Sequence, residues 1–223
     1  MNDLCAGGQG ARMSLREAGE TRSERRKRRN RQILIDAGYK VMAEKGIDAA
    51  TMLEISELAD VGAGTVYNYF DSKDQLAMAV MEQVMRRLAE RIEAVTDTFT
   101  DPAQVYAFGV RNVMKAATTD HRWRWLLRRS EVIADAMFKV MGPYAIRDVR
   151  NAVKAGRYRV EDAELAWRMA THAIVGFGLA VCDRKIAPDG IDEAVVNLLG
   201  MVGVARGEAW ELARRPSPDL PEE

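Results

Sequence analysis

The stretch TMLEISELADVGAGTVYNYFDSKDQL, from Thr51 to Leu76, constrains this chain more than any other. Thr51 is followed three residues later by Glu54 and then Ile55. That is the pattern of a capping box: the hydroxyl accepts from the third backbone N–H of a helix, and the carboxylate reaches back to the cap. Met52, Ile55 and Ala59 recur at helical spacing. The helix they define is expected to stop near Ala59-Asp60, because Val61-Gly62-Ala63-Gly64 is turn-like. Thr65 to Phe70 reads as a second short helix, with Val66 and Phe70 four apart on its inner face. Ala63, Thr65, Tyr67, Asn68 and Tyr69 then face elsewhere. A short helix showing hydroxyls, an amide and aromatic rings suits a major groove, where base edges offer donors, acceptors and methyl groups. Ser72 and Gln75 spell another capping box and open a long helix with Lys73 in its first turn. Spacing alone leaves open a plainer reading, a helical hairpin with polar residues on its outside.

Length and charge narrow the setting. A chain of 223 residues accommodates one large domain or two small ones and buries a substantial core. Its formal net charge is zero, so composition by itself does not indicate a nucleic-acid binder. The charge is unevenly placed. Arg22 to Arg31 carries seven Lys/Arg against one Glu, whereas Asp36 to Asp74 carries three against eight Asp/Glu. Attraction to DNA must then be concentrated in the basic run, with Arg25, Arg26 and Arg29 foremost, and in the dipoles of helix N-termini. Cys5 and Cys182 suggest no disulfide framework. No cluster of ligands marks a metal site, and no cofactor is expected. No run of about 18 apolar residues is seen, so no membrane span is expected. The N-terminus shows no apolar segment behind basic residues, so no secretory signal is expected and the cytoplasm is the expected compartment.

The residues Ala59, Val61, Gly64, Thr65, Val66, Tyr67, Tyr69, Phe70, Ser72, Lys73 and Leu76 spell A-x-V-x-x-G-T-V-Y-x-Y-F-x-S-K-x-x-L. This resembles the DNA-binding signature of the TetR family of bacterial transcriptional regulators. The resemblance covers roughly residues 34–76. It implies an all-α fold: an N-terminal three-helix, helix-turn-helix DNA-binding domain and a larger C-terminal helical domain for ligand binding and dimerisation. It places the recognition helix at 63–70. Thr51, Gly64, Thr65, Tyr67, Tyr69 and Lys73 are implied to face DNA, mostly its phosphates, and Ala63 and Asn68 its bases. One departure stands out: Gly62 occupies a position where the family usually has Ser, so a hydroxyl contact to phosphate is lost or made by backbone.

The rest of the chain is expected to divide into a disordered leader (1–23), the DNA-binding domain (24–75), the ligand-binding and dimerisation domain (76–215) and a tail (216–223). Leu34, Ala37, Gly38, Val41 and Met42 make the first helix amphipathic, and Lys45-Gly46 ends it. The helix opened by Ser72 runs to about Val95, and Asp101-Pro102 starts the next. In His121 to Arg129, Trp123, Leu126 and Leu127 form an apolar stripe among arginines, readable as core or as a pocket wall offering arginine to an acidic ligand. A helix from Ser130 to Lys154 is expected, with an interruption at Gly142-Pro143. Met137 and Met141 on it, and Met169 and His172 on the apolar helix Asp162 to Cys182, complete a candidate pocket for a largely apolar small molecule. A final helix from Ile191 to about Arg214 is expected. Ala173, Gly176, Phe177 and Ala180 share one face of the first of these last two helices, and Val196, Gly200, Gly203 and Gly207 line the second. Two such helices from each of two copies would build a four-helix dimer seam.

These features point to a homodimeric regulator on a palindromic operator, most readily a repressor released by a small molecule. An architectural DNA-binding protein is the alternative. An enzyme lacks a constellation: His172 and Cys182 on one helix would sit about 15 Å apart.

Overall fold

The computed structural model describes residues 21–119, 123, 127, 130–216 and 218–221, and among these every regular element is helical. The chain divides into two compact units, Met1–Ala77 and Met78–Glu223.

In the first unit, α1 (Arg22–Lys45) opens on a capping box at Thr21. Thr21 Oγ1 accepts from Glu24 N at 3.2 Å, and Glu24 Oε2 accepts from Thr21 N at 2.7 Å. The helix therefore begins inside the segment expected to be leader, and the basic run is helical throughout. The expected disorder of residues 1–20 lies outside the described residues. Leu34, Ile35, Ala37, Gly38, Val41 and Met42 bury one stripe of α1, which packs on α2 (Met52–Leu58). The Thr51–Glu54 capping box forms as expected, with Glu54 N to Thr51 Oγ1 at 3.2 Å and Thr51 N to Glu54 Oε2 at 3.1 Å. After Ala59 the chain turns through Asp60, whose φ of 53° is a left-handed conformation that Asp tolerates better than most residues. α3 (Ala63–Tyr67) follows. It starts where the family resemblance placed it, two residues before the start read from spacing. It ends three residues earlier than expected, as Tyr69 N and Phe70 N both turn back to Val66 O at 3.0 Å.

The helix α4 (Lys73–Thr96) has residues 73–77 in the first unit and the rest in the second. Its expected capping box forms in part: Ser72 Oγ accepts from Gln75 N at 3.2 Å, but Gln75 Oε1 accepts from Asp71 N rather than from Ser72 N.

The second unit continues with α5 (Pro102–Thr119), α6 (Ser130–Lys154), α7 (Ala163–Cys182), a single 3-10 turn (Pro188–Gly190), α8 (Ile191–Met201) and α9 (Arg206–Arg214). One apolar cluster spans the five α-helices among them, with Trp123, Leu127, Met137, Trp167 and Ile174 among its most buried members. α6 packs on α7 and α5, and α8 on α9 and α5. Two expectations are corrected here. First, α6 is continuous through Gly142-Pro143. Proline in a helix forgoes one hydrogen bond and crowds the preceding turn, at about 3 kcal/mol. Packing overrides this: Gly142 lies against the Trp167 indole, where a Cβ would stand 3.4 Å from the ring. Second, the final helix is two helices. Gly203 sits at the break with φ +83°, and Arg159 N donates to Val202 O at 2.9 Å. A Cβ on Gly203 would stand 2.9 Å from the Arg159 carbonyl oxygen, so only glycine fits.

α7 is apolar for most of its length, yet it holds no run of about 18 apolar residues. By length and composition it could cross a membrane, with a mean hydropathy of 1.4. Thr171 and His172 break its apolar run without lowering the mean enough. It is a core helix with one open face: Ala166, Trp167, Ala170, Ile174 and Val175 are buried, whereas Leu165 and Met169 are exposed.

Candidate nucleic-acid interface and effector cavity

α3 is amphipathic over barely more than one turn. Val66 (0% exposed) and, just beyond the helix, Phe70 (1%) anchor it. Ala63, Gly64, Tyr67 and Asn68 are exposed, and Thr65 and Tyr69 half-buried. Tyr67 is 55% exposed despite its size. The N-cap Gly62 makes no side-chain hydrogen bond. The Arg31 guanidinium lies 5.1 Å from the Phe70 ring centroid, tying the basic end of α1 to the residue that seats α3.

Two residues expected at DNA are already engaged within the chain. Lys73 Nζ donates to Asp48 O at 2.8 Å. Thr51 Oγ1 donates to Glu54 Oε2 at 3.0 Å while capping α2. Arg22, Arg25, Arg26 and Arg29 recur at helical spacing on α1 and all are exposed. They form a basic ridge rising about 10 Å along the helix.

In the second unit a cavity of about 40 Å³ opens among α4, α5, α6 and α7. Its walls come from helical i, i+3, i+4, i+7 sets: Ala89, Ile92 and Glu93; Tyr106, Gly109, Val110 and Val113; Met141, Tyr144, Ala145 and Asp148; with Trp167 from α7. Of the pocket residues expected from sequence, Met141 lines it. Met137 and Trp123 are buried in the core at 0% and 1% exposure. Met169 is 53% exposed, and His172 is exposed with Nδ1 2.9 Å from Arg168 O, so neither faces this cavity. Leu126 and the arginines at 122, 124, 128 and 129 lie outside the described residues.

The cavity's polar groups are few. Arg147 holds Glu93 by a two-pronged bond, Nη1 to Oε2 and Nη2 to Oε1, each 2.7 Å. Its Nε and Nη2 also reach Asp148 Oδ1 at 2.9 and 2.7 Å. Burial pushes the Asp148 carboxyl up to about 6 against the pull of Arg147, and Glu93 adds to the rise. Burial also raises the Tyr106 hydroxyl, which stays protonated at neutral pH. The Trp167 indole Nε1 is buried and has no hydrogen-bond partner among the described residues. Sequence reasoning missed Glu93, Asp148 and Trp167. A carboxylate at a core-facing register of an amphipathic helix was the available signal.

The expected seam is partly redrawn. Ala173 and Gly176 are exposed, and Phe177 and Ala180 half-buried. Gly200 and Gly207 are exposed but on different helices. Val196 is 2% exposed and belongs to the chain's own core, and Gly203 is the break described above.

A buried-anchored short helix after a tight turn, together with a separate helical unit that holds a cavity, defines a two-unit helix-turn-helix protein. Residues 34–80 match the family described as bacterial regulatory proteins, tetR family, and residues 101–215 match the tetracyclin repressor-like C-terminal domain. The chain belongs to the TetR family of transcriptional regulators, a family of regulators rather than enzymes. Among solved structures, RolR in complex with resorcinol is 30% identical, with 88% of this chain and 99% of that one aligned at a TM-score of 0.79. FadR from Bacillus subtilis with stearoyl-CoA, 20% identical over 77% of this chain and 98% of that one, at a TM-score of 0.58, shares the fold alone. The repressor KstR of Mycolicibacterium smegmatis is 34% identical over 121 residues, 52% of this chain and 55% of KstR. The chain spans about half the length of the curated relatives it matches.

Proposed function

We propose that the protein is a cytoplasmic, homodimeric repressor that binds a palindromic operator through α3 and leaves it when a small molecule occupies the second unit. The observation that carries the reading is the split of α3: Val66 and Phe70 are spent on anchoring, so Ala63, Gly64, Tyr67 and Asn68 are free to meet a groove. Thr65, Tyr69, Thr51 and Lys73 flank that surface, and Arg25, Arg26 and Arg29 extend it with positive charge. Lys73 and Thr51 would exchange their present hydrogen bonds for phosphates.

One short helix reads too few base pairs for a genome. Two copies reading half-sites about 34–36 Å apart solve this. The exposed face of α7, with Leu165, Met169, Ala173 and Gly176 at near-helical repeat, supports a seam with a second copy. Ala180, Gly200 and Gly207 extend the candidate seam. Release is then a population shift: a ligand that favours one arrangement of the dimer disfavours the spacing DNA needs. The similarity to RolR, solved with and without resorcinol, supports a small effector.

The test is DNA retention by the full chain on a candidate operator, with nonspecific competitor. Tyr67→Ala is expected to lower affinity at least tenfold while sedimentation still reports a dimer. Unchanged affinity removes α3 as the reading helix. Equal affinity for operator and competitor favours an architectural role instead.

A further inference from the structure

The cavity among α4–α7 joins three features that a packed core lacks. It is open space in a region where interiors are otherwise filled. Trp167, one of its lining residues (2% exposed), has a buried indole N–H with no acceptor among the described residues. Such a group forfeits its hydration without replacement, and structures tolerate few of them. It also holds a carboxylate, Asp148 (9% exposed), whose Oδ1 takes both Arg147 bonds while Oδ2 accepts none from the described residues.

Charge on the walls decides the sign of what can enter. The charged groups among the described lining residues are Glu93 and Asp148, and no lysine or arginine is among those lining residues. The nearest guanidinium, Arg147, is spent on those two carboxylates. An anionic occupant would meet two carboxylates and no unspent cation among the described lining residues. A cation would be held by Asp148 but would leave the Trp167 N–H without an acceptor. A neutral O–H satisfies both: its hydrogen goes to Asp148 and its lone pair accepts from the indole.

Size and wall chemistry decide the rest. A volume of about 40 Å³ is room for roughly three waters by the measure in which one water takes about 10–15 Å³. The walls are Ile92, Tyr106, Val110, Val113, Met141 and Tyr144, apolar and aromatic, and Met141 has the flexibility to yield. A single ring is the largest body such a space accepts by side-chain movement alone. Gly109 on α5 keeps one wall low: a Cβ there would meet only Ile92 Cγ2, at 3.8 Å.

We propose that this cavity is the effector site and that its ligand is a neutral single-ring phenol, whose hydroxyl donates to Asp148 and accepts from the Trp167 indole. This rests on the ligand-responsive reading above and adds the chemical class and the residues that select it. Asp148 and Trp167 are the specificity-determining pair, and Gly109 sets the space.

Titration calorimetry on the full chain tests it with three matched probes. Resorcinol carries the hydroxyls, 1,3-dimethoxybenzene keeps the ring and acceptors but has no donor, and benzoate is an anion of similar size. Resorcinol is expected to bind saturably, and the other two at least tenfold more weakly. Asp148→Asn and Trp167→Phe are each expected to weaken resorcinol about tenfold with circular dichroism unchanged, and Gly109→Leu to abolish binding by filling the space. If one of these variants fails to fold, the probe series on the wild-type chain decides alone. The proposal is overturned if benzoate or the dimethoxy compound binds as tightly as resorcinol. It is equally overturned if resorcinol shows no saturable binding up to millimolar concentration, or if folded Asp148→Asn and Trp167→Phe bind it unchanged. DNA retention run in parallel separates the two claims. Loss of operator binding by resorcinol supports both. Saturable resorcinol binding with DNA retention unaltered upholds the site and removes its regulatory role. Release of DNA by a different ligand, with resorcinol inert, removes the phenol and leaves the regulator.

Discussion

At the scale of single residues, Gly62 and Asp148 carry the most information. Gly62 has φ −64° and ψ 143°, which any L residue adopts, and no side-chain cap. A serine there would have room, since the built Cβ meets nothing nearer than Thr65 Oγ1 at 3.8 Å. Gly62→Ser is therefore expected to stabilise the first unit by about 0.5 kcal/mol, from a new cap and a less flexible unfolded chain. Thermal denaturation checks it, and a lower Tm would show that the turn needs glycine. Asp148 offers a test through pH. Its folded-state carboxyl titrates near 6, above the ordinary value of 3.8, so the ionised form is the penalised one in the folded chain. Between those values the native state holds more protons than the unfolded state, and stability falls as pH rises. The penalty is complete above pH 6 and relieved on descent towards pH 4. Relative to Asp148→Asn, the wild-type chain is expected to gain about 2 kcal/mol between pH 7 and pH 4 in urea unfolding. A difference that stays flat across that interval would mean the carboxyl is not desolvated.

At the scale of elements, the informative contrast is between α7 and the α8–α9 break. Both bear the small residues that suggest a seam, yet they serve different ends. Gly203 adopts a left-handed conformation against the Arg159 backbone, and Gly203→Ala is expected to cost about 2 kcal/mol or more of the subunit's own stability. Denaturant unfolding measures this, and a near-neutral effect would mean the break relaxes freely. On α7, Met169 projects from the exposed face at 53% exposure. Met169→Glu is expected to yield monomers by analytical ultracentrifugation with an unchanged helical spectrum. Dimers that persist would place the seam on another face. The helix caps were legible beforehand because Thr51–Glu54 is a local contract between neighbours. The break was not, because nothing near Gly203 in sequence reveals that Arg159 lies against it.

At the scale of the whole molecule, the basic ridge of α1 links composition to binding. The chain's net charge is zero, so long-range attraction to DNA must come from local asymmetry. Replacing Arg25, Arg26 and Arg29 by alanine is expected to reduce the slope of log affinity against log salt by about 2–3 per subunit. An unchanged slope would mean that the ridge faces solvent in the complex. The affinity of Tyr67→Ala, by contrast, should fall without a comparable change in slope, because a ring releases no counterions.

Sequence alone determined the features that are written in local terms: the capped start at Thr51, the glycine stop at Gly46, and the division of the stretch 63–70 into Val66 and Phe70 inside and Tyr67 and Asn68 outside. Each follows from interactions between residues a turn apart, whose spacing is the same in every helix. Tertiary structure alone decided which core-facing residues border open space. Met137 and Met141 share a helix and a chemistry, yet one is packed in the core and the other lines the cavity. It also decided that Glu93, Asp148 and Trp167, spread across three helices, meet at one place. A void is a property of how four surfaces fail to close, and no single surface carries the record of its partners.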